Sequence, residues 1–182
     1  MVVFFIRSGE PSFRLAPLSI PEASCARPTS QVKYRVDVSV MNIWKYYNIA
    51  RPVDAASMTD PVNYDKWIAS MNLSQKKWLV DRTDTQALYN DEVKILEERG
   101  NMYRVAAVDQ WVPYNSSGYP GWVPKSQVAA MNVDTSECRV AIITADKAPI
   151  LNMDTSYFMP VSYSTILPVV RIVGNWVVVQ TP

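Results

Sequence analysis

Two cysteines and no histidine limit what this chain of 182 residues can catalyse. A cysteine or serine nucleophile ordinarily needs an imidazole base. A zinc site ordinarily needs imidazoles or several thiolates. Cys25 and Cys138 supply neither set, and two cysteines are too few for a disulfide scaffold. Both therefore read as inert thiols, and the residues call for no catalytic centre, no metal and no cofactor within this chain. Two other side chains are candidates for polar chemistry. Tyr119 lies between Gly118 and Pro120, where the backbone is held still; its ring either packs beside Trp122 or meets a ligand. Asp84, in "DRTDTQ", reads from its neighbours alone as a solvated turn residue or a partner of Arg82.

Charge excludes some partners. Eighteen basic residues stand against seventeen acidic ones, a net charge of +1. That balance gives no electrostatic reason to expect nucleic acid or an anionic membrane. No stretch approaches the roughly 20 apolar residues that a membrane span requires. The opening "MVVFFIRSG" carries its positive charge after the apolar run, so it does not read as a signal peptide.

The elements that must position these residues are mainly β. Residues 1–32 carry Pro11, Pro17, Pro21 and Pro28 without a sustained period, which predicts a poorly ordered tail or linker. From Lys33, "KYRVDVSVMNIW" alternates, with Tyr34, Val36, Val38 and Val40 on one face of a half-buried strand. "DPVNYDKWIASM" predicts a helix from Pro61 to Met71, with Asp60 as N-cap and Tyr64, Trp67, Ile68 and Met71 as an apolar stripe. Ser74 is the expected cap of a second short helical piece. "TQALY" then predicts a strand, "EVKILEER" and "MYRVAAV" a hairpin about Gly100–Asn101, and "GWVP" a last short strand before a helical turn at "KSQV". Trp44, Trp67, Trp78, Trp122 and Trp176 are assigned to the core.

The order then repeats. "LPVVRIVGNWVVVQT" lines up with "VKILEERGNMYRVAA", so that Gly174–Asn175 matches Gly100–Asn101. The first unit spans 33–132 and the second 133–182. The second lacks a counterpart of "GWVPKSQV", which predicts an open edge and a marginal fold. A gene product that continues past Pro182, or once did, is the expectation.

These motifs, "TQALY", "GNMY", "GWVPKSQV" and "GNWVVV" in that order, resemble bacterial SH3-like domains. The fold implied is mainly β: two tandem SH3-like small barrels, the first with an inserted helix and the second incomplete. A closer likeness covers roughly Val36 to Thr181. "VSVMNIWK", "DPVNYDKWIASM", "KKWLVDRTDTQALYNDEVKILEERGNMYRVAAVDQ" and "GYPGWVPKSQV" resemble the non-catalytic front of the γ-D-glutamyl-L-diamino acid endopeptidases, bacterial dipeptidyl-peptidases of the NlpC type. In that family two SH3-like domains precede a papain-like domain carrying a Cys nucleophile and a His base. The intact enzyme cuts peptidoglycan stem peptides after D-glutamate.

The resemblance implies that this chain alone is not an enzyme, and that its partners are a peptidoglycan stem peptide or muropeptide and a downstream catalytic domain. It also implies a bacterial source, with the protein cytoplasmic or cell-wall associated. Carried over by position, Asp84 and Tyr119 bind the free amino end of an L-Ala-D-Glu-diamino acid substrate. Where the family usually has glutamate this chain has Asp84, one methylene shorter. Trp111 and Tyr114 are candidates for lining the same cleft. An ammonium group needs a carboxylate for charge and an acceptor oxygen for orientation, so the pairing is chemically sensible. Two other readings stand beside it: a stand-alone module for cell-wall peptide or glycan, and an inactive gene fragment.

Overall fold

The computed structural model describes residues 2–5 and 25–182 of the chain. It is mainly β. Two antiparallel sheets and a small helical insertion belong to two compact units. One unit is Lys33–Met131; the other is Asn132–Thr181 together with Met1–Val32. They are called here the first and second modules.

The strands are β1 (Val2–Phe5), β2 (Arg27–Val36), β3 (Val40–Trp44), β4 (Thr83–Leu88), β5 (Glu92–Arg99), β6 (Met102–Ala107) and β7 (Tyr119–Pro124). They continue as β8 (Val128–Asp134), β9 (Arg139–Ile142), β10 (Lys147–Leu151), β11 (Tyr157–Ser162), β12 (Ile166–Val173) and β13 (Trp176–Val179). Helices α1 (Tyr64–Ser70) and α2 (Leu73–Trp78) lie between β3 and β4, with a 3-10 turn at Pro52–Ser57 before them. A second 3-10 turn, Lys125–Gln127, follows β7.

The alternating run from Lys33 to Trp44 is two strands, not one. The chain breaks at Asp37–Ser39, where the backbone bonds outside the strand ladder. Asp37 N–H donates to the Gln127 carbonyl (2.9 Å), and Tyr89 N–H to that of Ser39 (3.3 Å). The break lets β2 lie beside β5, with Tyr34 opposite Val93, while β3 pairs with β4 and β7. Val36, Val38, Met41, Ile43, Ala87, Val93, Val105, Ala107 and Val123 form the resulting core. Gly121 of β7 passes so close to β3 that a Cβ there would lie 2.4 Å from Ile43 Cγ2.

The helical insertion starts later than Asp60 suggests. Asn63 is the cap of α1, its side-chain oxygen accepting from Lys66 N–H at 2.9 Å. Asn72, not Ser74, caps α2: its oxygen accepts from Gln75 N–H, and the Gln75 oxygen accepts from Asn72 N–H, both at 2.9 Å. This reciprocal box satisfies two donors that a helix start otherwise leaves unpaired. The insertion builds a second core of Trp44, Trp67, Met71, Met102 and Trp122. Burying one such indole removes roughly 150–250 Å² from water, on the order of 4 kcal/mol before entropy is counted. Ile68 stays exposed, so the apolar stripe of α1 is narrower than its spacing suggests. Trp78 is half-buried and packs against this core, whereas Trp176 is half-buried, a correction to its assignment to the core.

Beneath the insertion Asp54 is fully buried and ionised. It accepts from Arg51 Nε (2.8 Å), Arg51 Nη2 (2.9 Å), Arg51 N–H (2.8 Å) and Trp67 Nε1 (2.9 Å). Burial works to raise its pKa, but the Arg51 and Trp67 hydrogen bonds and the Arg51 charge outweigh it and hold the carboxyl below the ordinary 3.8. The same Arg51 guanidinium lies 3.9 Å over the Trp78 ring.

The second module repeats the hairpin. β12 and β13 pair about Gly174 (φ 58°), as β5 and β6 pair about Gly100 (φ 55°). Its buried residues include Ile143, Ile150, Val161, Leu167, Val178 and Val179. Two sequence readings change here. Cys25 and Cys138 are joined as a disulfide, with Cα atoms 5.1 Å apart, and are not inert thiols. The fold brings together residues 113 positions apart, which spacing along the chain does not reveal. The stretch read as a tail carries strand at both its ends, in β1 and in the Arg27–Gln31 part of β2. The remainder of that reading falls on residues outside those described. Strand β1 pairs antiparallel with both β10 and β13, at the edge expected to stay open.

Candidate functional site

Asp84 sits on a β-bulge. Ile43 of β3 is opposite Thr85, and the next residue, Trp44, is opposite Thr83; Asp84 is the extra residue between them. A bulge takes a side chain out of the regular alternation and re-aims it. Here the carboxyl lines a cleft of about 590 Å³ that also involves Asn42, Tyr64, Trp67, Thr83 and Gln86. Burial raises its pKa above 3.8; the positive charge of Lys45 opposes the shift and the charge of Asp81 adds to it. Arg82, the alternative partner, turns elsewhere. It donates to the carbonyls of Trp78 (2.9 Å) and Val80 (3.2 Å) and lies 4.6 Å over the Trp78 ring.

Tyr119 opens β7, opposite Ala107, and its ring packs against the first-module core. Its hydroxyl shares a hydrogen bond with Tyr114, and the two rings meet edge to face at 6.4 Å. That bond, followed by burial and the nearby charges of Asp84 and Tyr114, pushes the Tyr119 pKa up to about 12. The phenol is therefore neutral at physiological pH, and its oxygen can accept while its proton donates. The Asp84 charge acts on Tyr119, but neither Tyr119 nor Tyr114 lines the cleft that holds Asp84.

Tyr114 is largely exposed apart from its contact with Tyr119. Trp111 is 80% exposed, and it does not line the Asp84 cleft. Trp122 is buried, with Tyr47 packed edge to face on it at 5.0 Å.

Several residues of the site were not singled out from sequence. Thr85 Oγ1 donates to Gln110 Oε1 (2.7 Å), and Gln110 Nε2 donates to the Gln86 carbonyl (2.7 Å). These bonds pin the loop that carries Tyr114 onto β4. Gln86 Nε2 donates to Asn42 Oδ1 (2.9 Å), as does the Tyr64 hydroxyl (3.2 Å), and Gln86 also bonds Tyr64 directly. Tyr64 comes from α1, so the insertion supplies one wall of the cleft. The available signal was the insertion itself: a helix placed between two strands of a small β module must cover something.

The architecture is one of antiparallel β modules elaborated by loops and a small helical insertion. Residues 143–182 match the family model described as the YKFC SH3b2 domain. The chain is homologous to part of the gamma-D-glutamyl-L-lysine dipeptidyl-peptidases. It is 35% identical over 140 residues to the one from Bacillus cereus (strain ATCC 10987 / NRS 248), covering 73% of this chain and 42% of that protein. It is 24% identical over 145 residues to the one from Bacillus subtilis (strain 168), covering 79% and 49%. Among solved structures, an NlpC/P60 family protein from Bacillus cereus ATCC 10987 superposes with a TM-score of 0.71 at 31% identity, over 78% of this chain and 48% of that one. The chain thus spans less than half the length of these relatives.

Proposed function

We propose that this chain is the non-catalytic SH3b region of a cell-wall cysteine peptidase, and that its first module helps hold the free amino end of a peptidoglycan stem peptide. The observation that carries the reading is the Asp84 carboxylate, which its bulge re-aims into the wall of an open cleft and whose charge acts on the Tyr119 hydroxyl. A peptide α-ammonium has one positive charge and three donors. Asp84 offers charge and acceptor oxygens, and Tyr119 offers a neutral acceptor at a fixed position. A peptide whose amino end is blocked would leave the partly buried carboxylate unpaired, so the site selects free ends. The names of the relatives support the choice of substrate class. Hydrolysis would be the work of a partner domain carrying a Cys–His pair.

Titrating L-Ala-D-Glu into the isotope-labelled chain and following amide shifts by NMR tests the reading. Shifts should concentrate on β4 near Asp84 and at Tyr114 and Tyr119. Shifts confined to the second module, or none at millimolar peptide, would overturn it.

A further inference from the structure

The two modules fill equivalent strand positions from opposite directions along the chain. In the first module β7 lies between β6 and β3, antiparallel to both. In the second, β13 corresponds to β6, as the second strand of the Gly-Asn hairpin, and β10 corresponds to β3, as the partner of the next hairpin strand. β1 lies between β13 and β10, antiparallel to both. It occupies the place of β7. Yet β7 follows its hairpin in the chain, whereas β1 precedes its hairpin by more than 160 residues.

The strand order β11-β10-β1-β13-β12-β9 makes β1 the link between two separate parts of the sheet. Without it, β10 and β13 would each present a row of unpaired backbone groups beside the buried Ile150, Val178 and Val179. Such a pair of facing edges receives a strand by backbone hydrogen bonding, with side-chain pockets setting preference. The register is fixed on both sides: Val3 faces Leu151 and Val178, and Phe4 faces Ile150 and Val177.

We infer that the space between β10 and β13 is a strand-acceptor site, filled within the chain by Val2–Phe5 and able, once that strand is weakened, to take in trans an extended apolar peptide of the same chemistry. The occupant is defined by what the site pairs with: about four residues, extended, apolar, and free of proline at its centre. The covalently attached strand enjoys an effective concentration of the order of millimolar. A peptide in trans therefore enters only when β1 is weakened.

The full chain carrying Phe4→Pro provides the test, since proline in a central strand removes a ladder hydrogen bond. The probe is a synthetic VVFFIR peptide with a solubilising di-lysine tail. Amide hydrogen exchange at Ile150, Leu151, Val177 and Val178 should speed up about tenfold or more in the variant. Excess peptide should restore it, and the same peptide should leave the unaltered chain unchanged. Val93 and Val105 of the first module should keep their protection throughout and serve as the internal control. A Phe4→Ala variant, which keeps the N–H, should lose less than Phe4→Pro. Unchanged exchange in Phe4→Pro would show that β1 does not hold the sheet. Loss of protection without rescue, including global unfolding of the second module, would show that the site does not accept a strand in trans. Either result overturns the proposal, and neither bears on Asp84.

Discussion

At the residue scale, two buried or half-buried aspartates have opposite environments and opposite consequences. Asp54 gains more from Arg51 and Trp67 than burial costs it, so its pKa is lowered. A lowered carboxylate contributes stability above its unfolded pKa and loses that contribution as pH falls through the folded value. The first module should therefore weaken below about pH 4. Asp54→Ala should cost about 3 kcal/mol, the low end for breaking a buried ion pair, because Arg51 keeps some contact with water. Urea unfolding followed by tryptophan fluorescence checks both points, and the variant should lose most of the acid sensitivity. Asp84 has a raised pKa and is set up to lose its charge more readily. Its geometry could not be read from the sequence. "DRTDTQ" does not announce a bulge, because a bulge is defined by the register against β3 and not by local composition. Tyr119 has more local signal, since Pro120 restricts the residue before it, and Gly118 takes a φ of 116° where a Cβ would lie 2.0 Å from the Ala107 carbonyl oxygen.

Among elements, the two Gly-Asn hairpins were plain in the sequence because their turn chemistry is local. Both glycines adopt positive φ. They differ in surroundings: a Cβ on Gly100 would meet the Tyr47 hydroxyl at 2.9 Å, whereas one on Gly174 meets nothing within 4 Å. Gly174→Ala should cost about 1 kcal/mol, the strain of a left-handed alanine. Gly100→Ala should cost more, and thermal denaturation of the two variants should show that order. Equal losses would mean that Tyr47 moves aside freely. The boundaries of the insertion were less legible. Asp60 and Ser74 are good caps by type, but Asn63 and Asn72 hold the actual helix starts. Several adjacent residues can cap a helix, and the packing of Trp67 onto Trp44 and Asp54 decides which one does.

For the whole molecule, what the sequence hid was long-range closure. The repeat showed a second module without its closing strand; the structure places Val2–Phe5 there. Cys25 and Cys138 showed no paired spacing; the structure bonds them. Neither fact has a local signature, because both depend on residues more than 100 positions apart meeting. The disulfide should stabilise the second module by about 2–4 kcal/mol. Reduction should lower the midpoint of unfolding reported by Trp176 and leave the first-module midpoint in place. A common shift of both would mean that the bond acts on the entire chain.

The claim on which the functional account rests is that the Asp84 carboxylate recognises a peptide α-ammonium. Titration calorimetry of the full chain and its Asp84→Asn variant, each with L-Ala-D-Glu-L-Lys and with the N-acetylated tripeptide, measures that pairing as a cycle. A charge-assisted hydrogen bond contributes about 1.5–3 kcal/mol, so the unaltered chain should favour the free amine by roughly tenfold to a hundredfold. The preference should vanish in Asp84→Asn. Equal affinity for the free and acetylated peptides, or a preference that survives Asp84→Asn, would contradict the account.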